Sequence, residues 1–351
     1  MKKNIVIIMI AILIFSFVSK GQQRNIIPQL EPVTSLGSGI FSLVPPKGHK
    51  LPKNEIPVLA GPATTSHIRT KYLEVPYSTL SKTQKADIYL PNDGQGPFPV
   101  IIDIHGGAFM MGDSRTPYDI AIINAGVGHG YAVVSVNYRM SGEARFPRAV
   151  NDVKAAVRFV KANAQKYNFN ADKIVAWGNS AGGNLAAMLG TTGNVKNLNG
   201  DVTENLEFSS AVQAVVDWFG PCDFTKFDEQ FQASGIHTPF GSVLSDTSPE
   251  SLYIGQNVKK DVMFTEKANP KTYIGTMDTK TAPYFFIEHG NIDQNIPTVQ
   301  SIDLANALKA QIGANKVSFE ILQGSIHADP SFFTAENFTK AFNFLDNVLK
   351  E

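Results

Sequence analysis

Short runs of β-branched and other apolar residues alternate with helical patterns along most of this chain. Helical spacing of apolar residues follows several of the runs, with Pro147 at one helix start and Gly313 at one helix end. Near-continuous apolar strands that alternate with helices are typical of a mostly parallel sheet covered on both faces, so the predicted class is α/β. The predicted strands span residues 86–90, 100–104, 132–136, 174–177, 212–218, 284–287 and 317–322.

The first twenty-one residues have the pattern of a secretory signal peptide. Lys2 and Lys3 form a positive start, residues 5–18 an almost unbroken apolar run, and residues 19–21 a small-x-small cleavage site. The alternative is an uncleaved membrane anchor, but the apolar run is shorter than the roughly 20 residues that span a bilayer. We therefore predict a signal peptide over residues 1–21, no stable membrane insertion after its cleavage, and a secreted or periplasmic protein.

Residues 22–66 are rich in proline, which fixes φ and removes a backbone donor. We predict an extended leader on the surface of a catalytic domain that spans residues 67–351. A leader that covers part of an active site is the alternative.

Charge and cysteine content exclude several classes of protein. The 31 basic and 31 acidic residues cancel, so no charge excess points to nucleic acid or to an anionic membrane. The single cysteine, Cys222, excludes an internal disulfide and a metal site built from cysteines, and it is expected to be a small packing residue.

A Gly-x-Ser-x-Gly motif joins the strand at 174–177 to an Ala-rich helix. In Gly178-Asn179-Ser180-Ala181-Gly182 the glycines are needed because larger residues would clash in a sharp strand-to-helix turn. Such a turn exposes the Ser180 hydroxyl at the carboxyl end of the sheet, so Ser180 is the candidate nucleophile.

The segment His105-Gly106-Gly107-Ala108-Phe109 follows the strand at 100–104. Glycines let backbone N–H groups approach a substrate oxygen, and donors aimed at a developing oxyanion lower the barrier by about 3 kcal/mol each. A plain glycine turn is the alternative interpretation.

A serine nucleophile needs a histidine base that is oriented by a carboxylate. His327 lies in the loop after the last predicted strand, whereas His105 and His289 each end a strand before a glycine and are interpreted as structural. Asp293, in the loop after the strand at 284–287, fits the order serine, acid, histidine better than Asp303 or Asp329. Ser180, Asp293 and His327 are therefore the predicted triad.

From about residue 71 to the C-terminus the chain resembles α/β-hydrolases of the hormone-sensitive-lipase-like carboxylesterase group. Within the group it most resembles secreted bacterial feruloyl and acetylxylan esterases, which deacylate plant-wall polysaccharide. The resemblance implies an eight-stranded sheet, serine hydrolysis, an ester substrate that is a small molecule or a polysaccharide, and neither a cofactor nor a metal. The matching segments are 105–109, 138–139 with Glu143 and 146–147, 178–183, 215–221, 289–293 and the loop of His327.

In this family the oxyanion is held by backbone N–H groups that correspond to Gly107, Ala108 and Ala181, with His105 and Gly106 forming the turn of the loop. Ala108 replaces the third glycine of the family pattern, so its methyl group is expected to narrow the acyl pocket. Asn179 stands where a charged residue or histidine is commoner in the family.

Substrate choice is expected to depend on a lid-like insertion over about residues 222–274, with a short helix between Ser248 and Gly255. Its aromatic residues either line an acyl pocket or pack the insertion on the body. Trp218 and Phe219 end a strand near Ser180 and are predicted as a pocket wall.

Three other functions remain as alternatives. A general short-chain carboxylesterase or lipase uses the same triad. A serine exopeptidase would need a large extra domain or acidic residues for the substrate amine, and a non-catalytic adhesion module generally loses a triad member. The sequence leaves the oligomeric state and the natural acyl group open.

Overall fold

The structure, a computed structural model, describes residues 62–349. The predicted signal peptide and all but the last residues of the predicted leader lie outside this range. An eight-stranded sheet has the order β1-β2-β4-β3-β5-β6-β7-β8; β1 and β2 pair antiparallel, as do β2 and β4, and all other pairs are parallel. The predicted α/β-hydrolase fold with a mostly parallel eight-stranded sheet is confirmed. The strands are β1 Lys71–Pro76, β2 Lys85–Tyr89, β3 Phe98–Ile104, β4 Ala132–Val136, β5 Phe169–Asn179, β6 Ala214–Trp218, β7 Tyr284–Gly290 and β8 Val317–Leu322.

Helices cover both faces of the sheet, as predicted. One face packs against α2, α4 and α8, and the other against α1 and α9, each through its own cluster of buried apolar residues. Among the helices of residues 62–349, none has both the length and the apolar character of a transmembrane span. The helices are α1 Pro117–Gly128, α2 Arg148–Ala162, α3 Ala164–Tyr167, α4 Ala181–Thr192, α5 Phe227–Ser234, α6 Pro249–Ile254, α7 Val262–Glu266, α8 Val299–Ile312 and α9 Ala335–Leu349, with 3-10 turns at Lys196–Leu198, Pro270–Thr276, Ala314–Lys316 and Pro330–Phe333.

Of the elements that were not predicted, strand β1 and helix α1 have atypical patterns. Strand β1 lies at the sheet edge, is mostly exposed, and is interrupted by a register shift next to Glu74, so it lacks an apolar run. Helix α1 is apolar on most of its surface and therefore shows no one-sided periodicity. Its start is nevertheless marked by Thr116, whose side chain caps the backbone N–H of Asp119.

The register of the parallel strands decides where their loops meet. Ile104, Gly178, Asp217, Ile287 and Phe319 stand side by side across β3, β5, β6, β7 and β8. Loops that begin just beyond this row therefore converge at the carboxyl edge of the sheet, where ligands of open α/β sheets bind.

The insertion at 222–274 is built from α5, α6, α7 and the 3-10 turn Pro270–Thr276. Ser248 caps α6, and Gly255 ends it with φ 88°, as predicted. The side chains of Phe224, Phe227 and Tyr253 are buried in the apolar cluster on the face of the sheet that α2, α4 and α8 cover. These aromatics thus pack the insertion on the body, whereas a lid function stays a prediction.

Candidate active site

Ser180 lies on a sharp turn between β5, which ends at Asn179, and α4, which begins at Ala181. Its backbone has φ 55° and ψ −122°, a combination that side chains rarely adopt. A Cβ at Gly178 would lie 2.1 Å from the carbonyl oxygen of Gly182. The turn therefore closes only with glycine at position 178. This is the steric constraint that the Gly-x-Ser-x-Gly motif predicts.

The structure brings the three predicted triad residues together. The Nε2 atom of His327 lies 3.0 Å from the Oγ atom of Ser180, and Nδ1 of His327 lies 2.7 Å from Oδ2 of Asp293. Because a carboxylate only accepts hydrogen bonds, Nδ1 carries the proton and Nε2 presents its lone pair to the serine. The arrangement is suited to deprotonating Ser180.

Asp293 is fully buried and yet surrounded by donors. Burial alone would raise the pKa of its carboxyl, but the adjacent His327 and His289 rings hold the pKa well below its usual range. The backbone N–H groups of Asn295 and Ile296 donate to Oδ1 at 2.7 and 2.9 Å. Asp293 is therefore held as a carboxylate throughout the neutral pH range.

The loop after β3 passes directly beside Ser180. A Cβ at Gly106 would lie 3.3 Å from the Cβ of Ser180, and one at Gly107, where φ is 110°, would lie 2.0 Å from the carbonyl oxygen of Met111. Ala108 and the residue after it, Phe109, also have positive φ, at 55° and 59°. Strained backbone of this kind clusters at functional sites, because the surrounding structure must hold it in place.

The buried ring of His105 holds the start of this loop in place. Its ring is buried, stacks on Tyr138 with centroids 4.4 Å apart, and donates from Nδ1 to the carbonyl oxygen of Gly106 at 2.6 Å. Burial lowers the pKa of His105 to about 4, so the ring stays neutral. The structure thus places His105 at the turn of the loop, where its ring is held by Gly106 and Tyr138.

Trp218 and Phe219 do not form the predicted pocket wall. Both side chains have 0% exposure, so neither borders a solvent-accessible cavity. Trp218 packs edge-on against Trp177 in the aromatic cluster on the α9 face, because residues alternate between the two faces of a strand. Phe219 instead packs edge-on against the ring of His327 at 4.8 Å and so supports the triad histidine.

His289 lies beside the triad, a proximity that the sequence did not predict. Its Nε2 atom lies 3.2 Å from Oδ2 of Asp293, the same oxygen that contacts His327. The spacing of four residues between His289 and Asp293, in the loop at the end of β7, was the available signal.

Elsewhere in the described chain we considered metal-ligand groups and a separate cleft. Within residues 62–349 no group of three or more His, Cys, Asp or Glu side chains is arranged to hold a metal ion. A cleft of about 200 Å³ is lined by residues that include Val195, Val212 and Pro283. Since Val212 and Pro283 precede β6 and β7, this cleft lies at the amino edge of the sheet, away from Ser180.

Comparison with known proteins shows which family and which structures the chain is similar to. The family model described as BD-FAE matches residues 86–308. Esterase LipQ of Mycobacterium tuberculosis is 30% identical over 78% of this chain and 60% of its own length. The chain spans 53–60% of the length of the first curated relatives that it matches.

Two solved structures are similar in both fold and sequence. A truncated form of a carbohydrate esterase from gut microbiota has a TM-score of 0.73 and 29% identity, over 82% of this chain and 99% of that one. A bifunctional GH43-CE protein of Bacteroides eggerthii has a TM-score of 0.69 and 32% identity, over 79% of this chain and 38% of that one.

Proposed function

This chain belongs to the BD-FAE family of α/β-hydrolases, and from that premise we propose that it is a serine ester hydrolase that removes feruloyl or acetyl groups from plant-wall polysaccharide. The observation that carries the proposal is the continuous contact from Ser180 through His327 to Asp293, at 3.0 and 2.7 Å. Three such groups in hydrogen-bond reach are the signature of an activated nucleophile.

The first half of the reaction transfers the acyl group to the enzyme. Ser180 Oγ attacks the ester carbonyl carbon while Nε2 of His327 takes the hydroxyl proton. Asp293 keeps the imidazole in the required tautomer and stabilises the imidazolium that forms. When the tetrahedral intermediate collapses, the C–O bond to the alcohol breaks and His327 returns the proton to the leaving alkoxide.

The second half releases the acid. Water loses a proton to His327 and attacks the acyl carbon, and Ser180 leaves with that proton as the free hydroxyl. In both halves the negative oxygen faces the backbone N–H groups of Gly107, Ala108 and Ala181. Backbone donors of this kind are worth about 3 kcal/mol each because they are already oriented before the charge appears.

The descriptions of two similar proteins support a carbohydrate ester as the substrate. The two similar structures bear the descriptions carbohydrate esterase and GH43-CE. A polysaccharide substrate lies outside the cytoplasm, which fits the export predicted from residues 1–21. Likeness to Esterase LipQ favours a second candidate, a general short-chain carboxylesterase.

Chromatography of the acids released from feruloylated, acetylated arabinoxylan separates the two candidates. We expect ferulate or acetate with the wild type and neither with Ser180→Ala. Turnover of a small aryl acetate without release from the polysaccharide would replace the carbohydrate assignment with the general carboxylesterase. Failure on both substrates by a folded wild type would refute the hydrolase mechanism.

A further inference from the structure

We propose that His289 is a positioning residue of the active site, which shares the Asp293 carboxylate with His327 and limits the negative charge that Asp293 presents to it. The inference rests on the proposed function and deepens it. Nδ1 of His327 and Nε2 of His289 approach the same oxygen, Oδ2 of Asp293, at 2.7 and 3.2 Å.

The proton position on His289 follows from its partners. Nε2 faces two acceptors, the carbonyl oxygen of Ile296, to which it is hydrogen-bonded at 3.1 Å, and Oδ2 of Asp293 at 3.2 Å, so Nε2 must carry a proton, and its single N–H is shared between them. On the other side of the ring, Nδ1 lies 2.7 Å from the Oγ atom of Ser301 in α8. The ring is fully buried and held at both nitrogens, which fixes its orientation.

Sharing one oxygen has an electrostatic consequence for His327. Each donor to a carboxylate oxygen disperses part of its charge, and this effect is strong in a buried site of low dielectric. Without the donor from His289, Asp293 would attract the His327 imidazolium more strongly. The neutral, catalytically competent ring would then be reached only at a higher pH.

Other titratable groups also face this site and must be separated from His289. Asp217 on β6 is buried, its charge interacts with His289, and burial raises its pKa to about 6. Its Oδ1 atom accepts from the backbone N–H of Gly220 at 2.9 Å. Glu288 precedes His289 on β7 and is bonded to Asn337 on the other face of the sheet. Asp217→Asn, which retains the acceptor for Gly220, is therefore the background in which the titration is repeated.

Two substitutions divide the two contacts of the ring. His289→Gln places an amide N–H near the position of Nε2, so it retains a donor for Asp293 and loses the contact with the Ser301 hydroxyl. His289→Asn reaches only the position of Nδ1, so it retains contact with Ser301 and loses the donor. Gln is close to the ring in size, whereas Asn is one methylene group shorter and has the larger packing cost, so the free energy of unfolding of both variants is measured beside the titration.

The deciding measurement is the NMR pH titration of the His327 ring in protein labelled at histidine, assigned with His327→Gln. It does not depend on turnover. We expect His289→Asn to move the titration midpoint upward by about half a pH unit, and His289→Gln to move it by less than half of that. The acid limb of kcat/KM for an aryl acetate should move by the same amounts, in the Asp217→Asn background as well.

Equal midpoints in the wild type and His289→Asn, or equal shifts in the Asn and Gln variants, would overturn the inference and leave His289 a packing residue. If His289→Asn does not fold, Ser301→Ala takes its place, because it frees one side of the ring; a smaller upward shift supports the inference and no shift overturns it. A wild type that hydrolyses no ester would refute the proposed function, while the NMR titration would still decide the role of His289.

Discussion

The ring of Phe109 stacks on the ring of Tyr253, with centroids 3.8 Å apart and planes inclined by 7°. Phe109 belongs to the loop after β3 that passes beside Ser180, and Tyr253 belongs to α6 of the insertion. The carbonyl oxygen of Tyr253 also accepts from the backbone N–H of Phe146 at 2.8 Å. The insertion thus braces the strained loop that is proposed to bind the oxyanion.

Replacing Tyr253 tests this bracing. Tyr253→Leu removes the stacking, so we expect kcat to fall about 10-fold through a less ordered loop, which is roughly 1.4 kcal/mol in the barrier. Tyr253→Phe is the matched control: it keeps the ring and removes a buried hydroxyl that has no hydrogen-bond partner among the described residues. Its kcat should equal that of the wild type; equal losses in both variants would contradict the role of stacking.

Ser180 tests the link between strain and chemistry. Ser180→Ala and Ser180→Gly both remove the nucleophile, so each should reduce kcat by about 10⁴-fold or more. At φ 55° only glycine is free of strain, so Ser180→Gly should exceed Ser180→Ala by about 1 kcal/mol in the free energy of unfolding measured with urea. Equal stability of the two variants would show that the turn stores no strain.

Asp293→Asn tests the tautomer of His327. The amide can offer a donor where the carboxylate offered only acceptors, which favours the wrong imidazole tautomer, and we expect kcat to fall by about 10⁴-fold. Because the pKa of Asp293 is lower in the folded state, its contribution to stability is present above the unfolded-state pKa of about 3.9 and is lost as the pH falls through the folded-state pKa. The stability difference between wild type and variant should therefore shrink below about pH 4, as urea titrations at pH 3 and pH 7 would show.

Ala108→Gly tests the width of the acyl pocket. Removing the methyl group makes room beside the proposed oxyanion donors and also relieves the positive φ of 55°. We expect the ratio of kcat/KM for an aryl butyrate to that for the acetate to rise by about 10-fold, the worth of one methylene in a pocket. An unchanged ratio would mean that the methyl group does not touch the acyl chain.

Glu288→Gln tests the pH dependence of stability. Burial raises the pKa of Glu288 to about 7. Between the pKa of this group in the unfolded chain and pH 7, the folded state therefore keeps a proton that the unfolded state has released. Stability therefore falls as the pH rises through this window, by roughly 3 kcal/mol for this group. Gln keeps an acceptor for Asn337 and cannot ionise, so the urea midpoint of Glu288→Gln should change less between pH 5 and pH 8 than that of the wild type. Equal changes in the two proteins would contradict the raised pKa of Glu288.

Local sequence patterns were sufficient to predict the strands that have apolar runs and the order of the candidate triad residues along the chain. A strand is recognised from its own residues, and a turn such as 178–182 requires glycine for a local steric reason. Ser180, Asp293 and His327 each follow the end of a strand, so parallel pairing alone brings their loops to one edge. Helix α1 and strand β1 were missed because one is apolar all round and the other mostly exposed.

The sequence by itself determined the α/β class, the strained turn at Ser180 and the order of the three candidate catalytic residues. Only the tertiary structure decided which face each side chain takes at the sheet edge: it buries Trp218 in the aromatic core, sets Phe219 against His327, and directs His289 to the carboxylate of Asp293. The physical reason is that backbone propensity and turn sterics act over a few neighbouring residues. Side-chain contacts at the edge depend on the register and packing of strands that are far apart in the chain.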